Sequence, residues 1–295
     1  MHKYLRAIGF SKVRDKAHLL ALLKQTINLA DTKEYTSQPD TELLFADYRK
    51  SYGPGIGLAV RGEVDENDQL LYDYYFPYIQ PEYVSSGADI SVERHVEKES
   101  YAGVCDEAKV GVSLIFYLQN VVTYLKYRNS GLLPVKGTSL MLSGLSVDGT
   151  VMMPLYKDAS EVSTMKRTSA NRKKWIAQAR QGDETAMENL ALADMDTYSS
   201  ISKRIHREDV YSLVDTYFMP YGVECDLYSV LGEITELREL TNTLSGEQLV
   251  AMTLNCNELV FNICINKTDL MGEPAVGRRF KGTVWLQGYI NYPNE

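Results

Sequence analysis

The residues best suited to chemistry lie near the C-terminal end, in the run Gly272-Glu273-Pro274-Ala275-Val276-Gly277-Arg278-Arg279-Phe280-Lys281-Gly282. Glycine and proline set an irregular backbone there, one that a ligand could approach closely. Arg278, Arg279 and Lys281 offer cations to a phosphate or carboxylate, and arginine grips such groups through a bidentate fork. Trp285, just beyond, adds a planar surface for stacking. Glu273, Arg278, Arg279, Lys281 and Trp285 together form the candidate ligand site. A plainer reading stands beside it: a basic turn that pairs with the protein's own acids, Glu273 or Asp269 among them.

Two further constellations carry charge. Glu93, His95, Glu97 and Glu99 alternate, so a strand would bring all of them to one face. That face could serve acid–base chemistry or hold a metal, but it equally describes the wet side of a sheet. The second is a basic cluster, Lys166, Arg167, Arg172, Lys173 and Lys174, with Lys203, Arg204, His206 and Arg207 downstream. Acids at Asp183, Glu184, Glu188 and Asp194 favour a solvated helix face over a nucleic-acid patch. No nucleophile elbow, phosphate loop, dinucleotide fingerprint or HExxH pattern occurs, so no catalytic residue is assigned. Cys105, Cys225, Cys256 and Cys264 lack metal-ligand spacing and read as free thiols. Neither a metal nor a cofactor is expected.

Positioning these groups falls to a chain of 295 residues, 44% of them hydrophobic, with a net charge of −8. That composition supports a folded core, and the charge makes nucleic acid an unfavourable partner. Tyrosine, at 21 copies against 7 phenylalanines, suits sheets with one wet face. No apolar run approaches the ~20 residues needed to span a bilayer. The charged N-terminal segment lacks a secretory apolar core, so the expected compartment is the cytoplasm.

The periodicity predicts a first helical turn over Tyr4, Ala7 and Ile8, stopped by Gly9. A helix capped by Asp15 should then run to about Leu29. Strands follow in ELLFADY, GIGLAVRGEV, LLYDYYFPYI, DISVERHVE and KVGVSLIFYLQ. A short helix over Asn120–Arg128 precedes an expected hairpin, SLMLSGLSV and TVMMPLY, joined at Asp148-Gly149. Helices are expected near Asn171–Arg180, Glu184–Ala193, Asp196–Ile205 and Glu208–Phe218, with a tight turn at Asp194-Met195-Asp196. Four strands, DLYSVLGEIT, QLVAMTLNC, LVFNICIN and GTVWLQGYI, complete the chain.

The resulting fold class is α+β: two antiparallel strand-rich regions separated by a helical block. The expected divisions are an α+β region over 1–156, a helical segment over 157–218 and a β-rich region over 219–295. Internal similarity raises a duplication. Tyr52-Gly53 leads to Gly62-Glu63 much as Tyr221-Gly222 leads to Gly232-Glu233, and Leu118-Gln119 matches Leu286-Gln287. Chance recurrence in a strand-rich chain explains the same pairs, and comparing the strand orders decides between the two.

The opening MHKYLRAIGFSK, the middle EDVYSLVDTYFMPYGVECDLYSVLGEI and the ending GEPAVGRRFKGTVWLQGYI resemble an uncharacterised family of bacterial proteins, associated with clostridial gut bacteria. The resemblance implies a bacterial protein and transfers no activity. The functional expectation therefore rests on the basic loop: a non-enzymatic binding or regulatory protein for an anionic small molecule or an acidic partner. A hydrolase or transferase using His95 and its flanking carboxylates is the alternative, and a protein-interaction scaffold with Tyr-rich surfaces a third.

Overall fold

Asp15 opens the first helix as its sequence suggests: its carboxylate accepts a hydrogen bond from the His18 amide at 2.8 Å, and α1 runs over Lys16–Asn28. Before it, Lys3–Ile8 forms a 3-10 turn that ends on Gly9 at φ 92°, a left-handed conformation glycine adopts without strain. The computed structural model describes residues 2–37, 44–66, 69–94, 101–107, 109–155, 168, 170–172, 174–179, 181–204 and 210–293.

Strands β1 (Thr32–Ser37), β2 (Leu44–Gly53), β3 (Ile56–Val64) and β4 (Leu70–Ile79) form an antiparallel meander in chain order. The remaining strands join one larger sheet: β5 (Ile90–Arg94), β6 (Tyr101–Glu107), β7 (Val112–Leu118), β8 (Ser139–Met152), β9 (Tyr217–Pro220), β10 (Leu227–Thr241), β11 (Gln248–Cys256), β12 (Leu259–Asn266), β13 (Leu270–Met271) and β14 (Arg279–Asn291). Within that sheet β8, β12, β11, β10 and β14 pair in a ring and close a barrel, since β8 meets β12 on one edge and β14 on the other. Helix α2 (Val121–Asn129) links β7 to β8, close to the span its sequence suggests.

Strand alternation assigns the two faces of the barrel. Phe261, Ile263 and Ile265 of β12 point one way with Val250, Met252, Val230, Leu142, Phe280 and Val284, filling the interior. Cys264, Ala251, Leu249, Leu145 and Trp285 point outward. They pack against Tyr4, Leu5 and Ile8 of the 3-10 turn and against Leu58, Val60 and Phe76 of the meander. A second hydrophobic layer thus joins the small sheet and the N-terminal helices to the outside of the barrel.

Three sequence expectations are corrected here. First, the helical block does not separate two β-modules. Strand β8 precedes it and β10–β14 follow it, yet all contribute to one sheet, and β14 runs alongside β8 from Arg279–Met152 to Asn291–Ser139. Secondly, the strand orders exclude the duplication: Gly62 lies in the separate meander, whereas Gly232 lies in the barrel. Leu286-Gln287 lies on β14 and Leu118-Gln119 at the end of its neighbour β7, which runs parallel to it there. Thirdly, Asp148-Gly149 is no hairpin turn. It lies inside the continuous strand β8, where the register against β14 slips between Gly282 and Val284. The slip sets Val147 and Asp148 of β8 against Thr283 of β14, a β-bulge, and the Ser146 hydroxyl lies within hydrogen-bond reach of the carbonyls of both Asp148 and Thr283. Gly149 is required for close approach, because a Cβ there would overlap the Phe280 ring.

The helical stretch differs in detail as well. Asp183 accepts from the Ala186 amide at the start of α3 (Glu184–Arg204). That helix passes without a break through Asp194-Met195-Asp196, where a turn was expected. The described part of helix α4 is Val210–Leu213, and the chain is already in β9 at Tyr217, within the span expected to be helical.

Candidate functional site

The β8 bulge lies on the floor of an open cleft of about 600 Å³ on the outer face of the barrel. Residues of four strands line it: Asp148 and Thr150 from β8, Lys281 and Thr283 from β14, Ser229 from β10, and Leu270 and Met271 from β13, of which Leu270 also packs against the barrel interior. Tyr221, Thr268 and Asp269 complete its rim. Bulges re-aim side chains, and this one presents exposed Asp148 beside Thr150. Gly149 and Gly282 are register partners, so backbone alone forms part of the floor. Asp269 is neutralised by Arg6, which forms a bidentate ion pair with it. Lys281 is the one basic residue lining the cleft among the described residues.

The five residues singled out from sequence do not converge on one ligand position. Gly272 and Gly277 both have φ of 86°, so the loop backbone is as irregular as its composition suggests. Within that loop Arg278 donates to the carbonyl of Glu273 at 2.6 Å, and the Glu273 side chain is exposed. Arg279 is 4% exposed and acts on the chain itself. Its guanidinium donates to the carbonyls of Met153 at 3.0 Å, Tyr211 at 3.0 Å, Val214 at 2.9 Å and Asp215 at 3.3 Å. Three of these carbonyls lie at the end of α4, where helical carbonyls lack partners of their own, so Arg279 caps that turn and fastens it to β14. Burial lowers the Arg279 pKa, and the nearby Asp215 charge offsets part of that effect.

Lys281, two residues on, serves both the cleft and the same segment. Its ammonium donates to the Tyr211 hydroxyl at 2.5 Å and lies 4.2 Å from the centre of that ring. Trp285 is buried elsewhere. Its indole N–H donates to Asp226 at 2.7 Å, and its ring stacks on Tyr4 with centroids 5.3 Å apart. Burial, with the charges of Glu224, Asp226 and Asp148, pushes the Tyr4 hydroxyl far above its ordinary pKa.

Among the other sequence candidates, Glu93 is exposed on β5, while His95, Glu97 and Glu99 lie outside the described residues. Among the described residues no group of three or more His, Cys, Asp or Glu is placed to hold a metal ion. Arg172 is ion-paired with Asp194, whereas Lys166, Arg167, Lys173, His206 and Arg207 are not described and nothing is described of the side chains of Lys203 and Arg204. The four cysteines are free thiols, with Cys225 exposed and the others buried. Among the described residues no helix is long and apolar enough to cross a membrane.

Sequence reasoning missed Asp148, Thr150 and Ser229 as site residues. The signal was present in Asp-Gly between apolar runs, but a bulge and a hairpin share that signature.

Fold and cleft define a β-barrel protein with an insertion fastened to its wall. The chain belongs to the family DUF3881, described as a domain of unknown function from an E. rectale gene description, whose model matches residues 5–288. The resemblance read from the opening, middle and closing motifs is thereby borne out. No curated protein and no solved structure matches the chain.

Proposed function

We propose that the protein binds an anionic small molecule in the cleft over the β8 bulge and performs no chemistry on it. The carrying observation is the lining: one lysine, several hydroxyls and one unneutralised carboxylate around a concave floor. An anionic head would meet Lys281, while donors elsewhere on the ligand would meet Asp148, Thr150 and Thr283. The Arg6–Asp269 pair adds little net charge, so Lys281 and Asp148 are the other charged side chains the lining presents to a ligand. Within this reading Arg278 and Arg279 shape the wall and Lys281 makes the contact. The free thiols suit the cytoplasmic setting expected from the sequence.

A thermal-shift and calorimetry panel of sugar phosphates, organic acids and nucleotides tests the proposal on the wild type, Lys281→Gln and Asp148→Asn. A ligand at a hundred times its Kd adds about 2.7 kcal/mol of stability. Binding that is lost in Lys281→Gln and weakened in Asp148→Asn supports the cleft. Binding that both variants retain places the ligand elsewhere and sinks the proposal.

A further inference from the structure

We infer that the ligand of the cleft is an α-amino acid with an apolar side chain, its carboxylate meeting Lys281 and its ammonium meeting Asp148. The inference rests on the binding reading above and names the substrate class of that same site.

The floor of the cleft presents both signs of charge on one face. Lys281 is the register partner of Thr150, and Asp148 stands two residues before Thr150 on the same side of β8. The two charged residues are thus diagonal neighbours on adjacent strands, their backbones about 7–8 Å apart. Lys281 reaches the Tyr211 hydroxyl, and the exposed Asp148 carboxylate makes no ion pair among the described residues. A ligand lying between them therefore meets a cation at one end and an anion at the other. The surroundings strengthen the anionic end. The charges of Glu224, Asp226 and Asp148 all act on the Tyr4 hydroxyl, so negative potential gathers where Asp148 stands. A wholly anionic ligand would bring further negative charge towards these carboxylates, whereas an ammonium is drawn to them. Apolar flanks receive the rest of the molecule. Met271, beside Thr150 on one flank, is 71% exposed, and Tyr221, beyond β9 on the other, is 53% exposed. Both line the cleft, and an apolar side chain laid between them would take all three surfaces out of water.

The test titrates the full chain, Asp148→Asn and Lys281→Gln by calorimetry with L-leucine and L-phenylalanine. Isocaproate and hydrocinnamate, the same molecules without the ammonium, are titrated beside them, together with sugar phosphates. The ratio of amino acid to deaminated acid is read within one protein, so a small loss of stability in a variant does not imitate the effect. In the wild type, removing the ammonium should weaken binding about ten- to hundredfold, the range for a hydrogen bond to a charged group. That ratio should fall towards one in Asp148→Asn, and Lys281→Gln should lose both ligands. Lys281-dependent binding of amino acid and deaminated acid with equal affinity overturns the role of Asp148 and leaves the anionic reading standing. Lys281-dependent binding of a sugar phosphate, with no binding of either amino acid, does the same. Absence of Lys281-dependent binding of every probe overturns both.

Discussion

Gln119 and Gln287 hydrogen-bond to each other, Gln119 Nε2 donating to Gln287 Oε1 at 2.8 Å, with both side chains buried. Gln119 Nε2 also meets the Ile79 carbonyl and the Ser143 hydroxyl, and Gln287 Nε2 donates to the Pro77 carbonyl. The pair therefore closes the seam where β4, β7, β8 and β14 converge. Truncating either glutamine strands buried acceptors. Gln287→Ala should cost about 1–3 kcal/mol from its lost polar contacts. A double-mutant cycle with Gln119→Ala, measured by urea unfolding, should show coupling well outside additivity. Additive losses would mean that the two side chains act independently.

The same seam buries charge. Arg61 Nε donates to Asp47 Oδ2 at 2.6 Å, with side-chain exposures of 0% and 1%. Arg49 shares the carboxylate, both arginines reach the Gln119 carbonyl, and the Arg61 guanidinium stacks over Phe76 at 4.4 Å. Asp47→Ala leaves two cations without their anion and should cost about 3–5 kcal/mol, as broken buried pairs do. Replacing Asp47 and Arg61 together with apolar residues should recover much of that loss. A double mutant no more stable than Asp47→Ala would refute the electrostatic account.

Acid stability should reveal the same group. Burial pushes the Asp47 pKa up, but Arg49 and Arg61 outweigh it and hold the carboxyl below its ordinary 3.8. With the folded value depressed, the stabilisation is full above about pH 4 and fades as pH falls further. At the alkaline end burial raises Cys264 from 9.0 to about 12, so its contribution is full below pH 9 and fades as pH rises towards 12. Stability profiles of Asp47→Asn and Cys264→Ala should each flatten one limb alone.

The bulge in β8 makes a claim about glycine. A methyl group at Gly149 would collide with Phe280 and Ile265 inside the barrel. Gly149→Ala should therefore destabilise by about 1–3 kcal/mol, the usual range for overpacking. Phe280→Leu in the same chain should relieve part of the cost. Were Gly149 at the tip of a hairpin, no change at Phe280 could rescue it.

Arg279 should resist conservative replacement. Arg279→Lys keeps the charge but loses the planar fork that reaches Met153, Tyr211, Val214 and Asp215. Exchange over 210–215 should rise while the barrel strands keep their protection. Uniform loss of protection would show that Arg279 supports the barrel itself.

Much of the local structure was legible from local signals. Asp15 at the head of α1, Gly9 after the first turn, the short helix over Asn120–Arg128 and most of the long strands follow from caps, glycines and alternation between neighbours in the chain, whereas β1, β6, β9 and β13 carried no strand signal that was read. Arg279 and Lys281 were picked out for their charge, and both do bind, though the partners described are the chain's own carbonyls and Tyr211. What tertiary structure alone decided was pairing over long range. Nothing local tells β8 to run beside β14 across the intervening helices, or tells Gln119 to meet Gln287. A strand carries the same alternation whichever neighbour it finds, so its partner is chosen by which edges and apolar faces remain to be satisfied once the others have packed. That choice turned Asp148-Gly149 from an expected turn into a bulge, and with it placed the cleft.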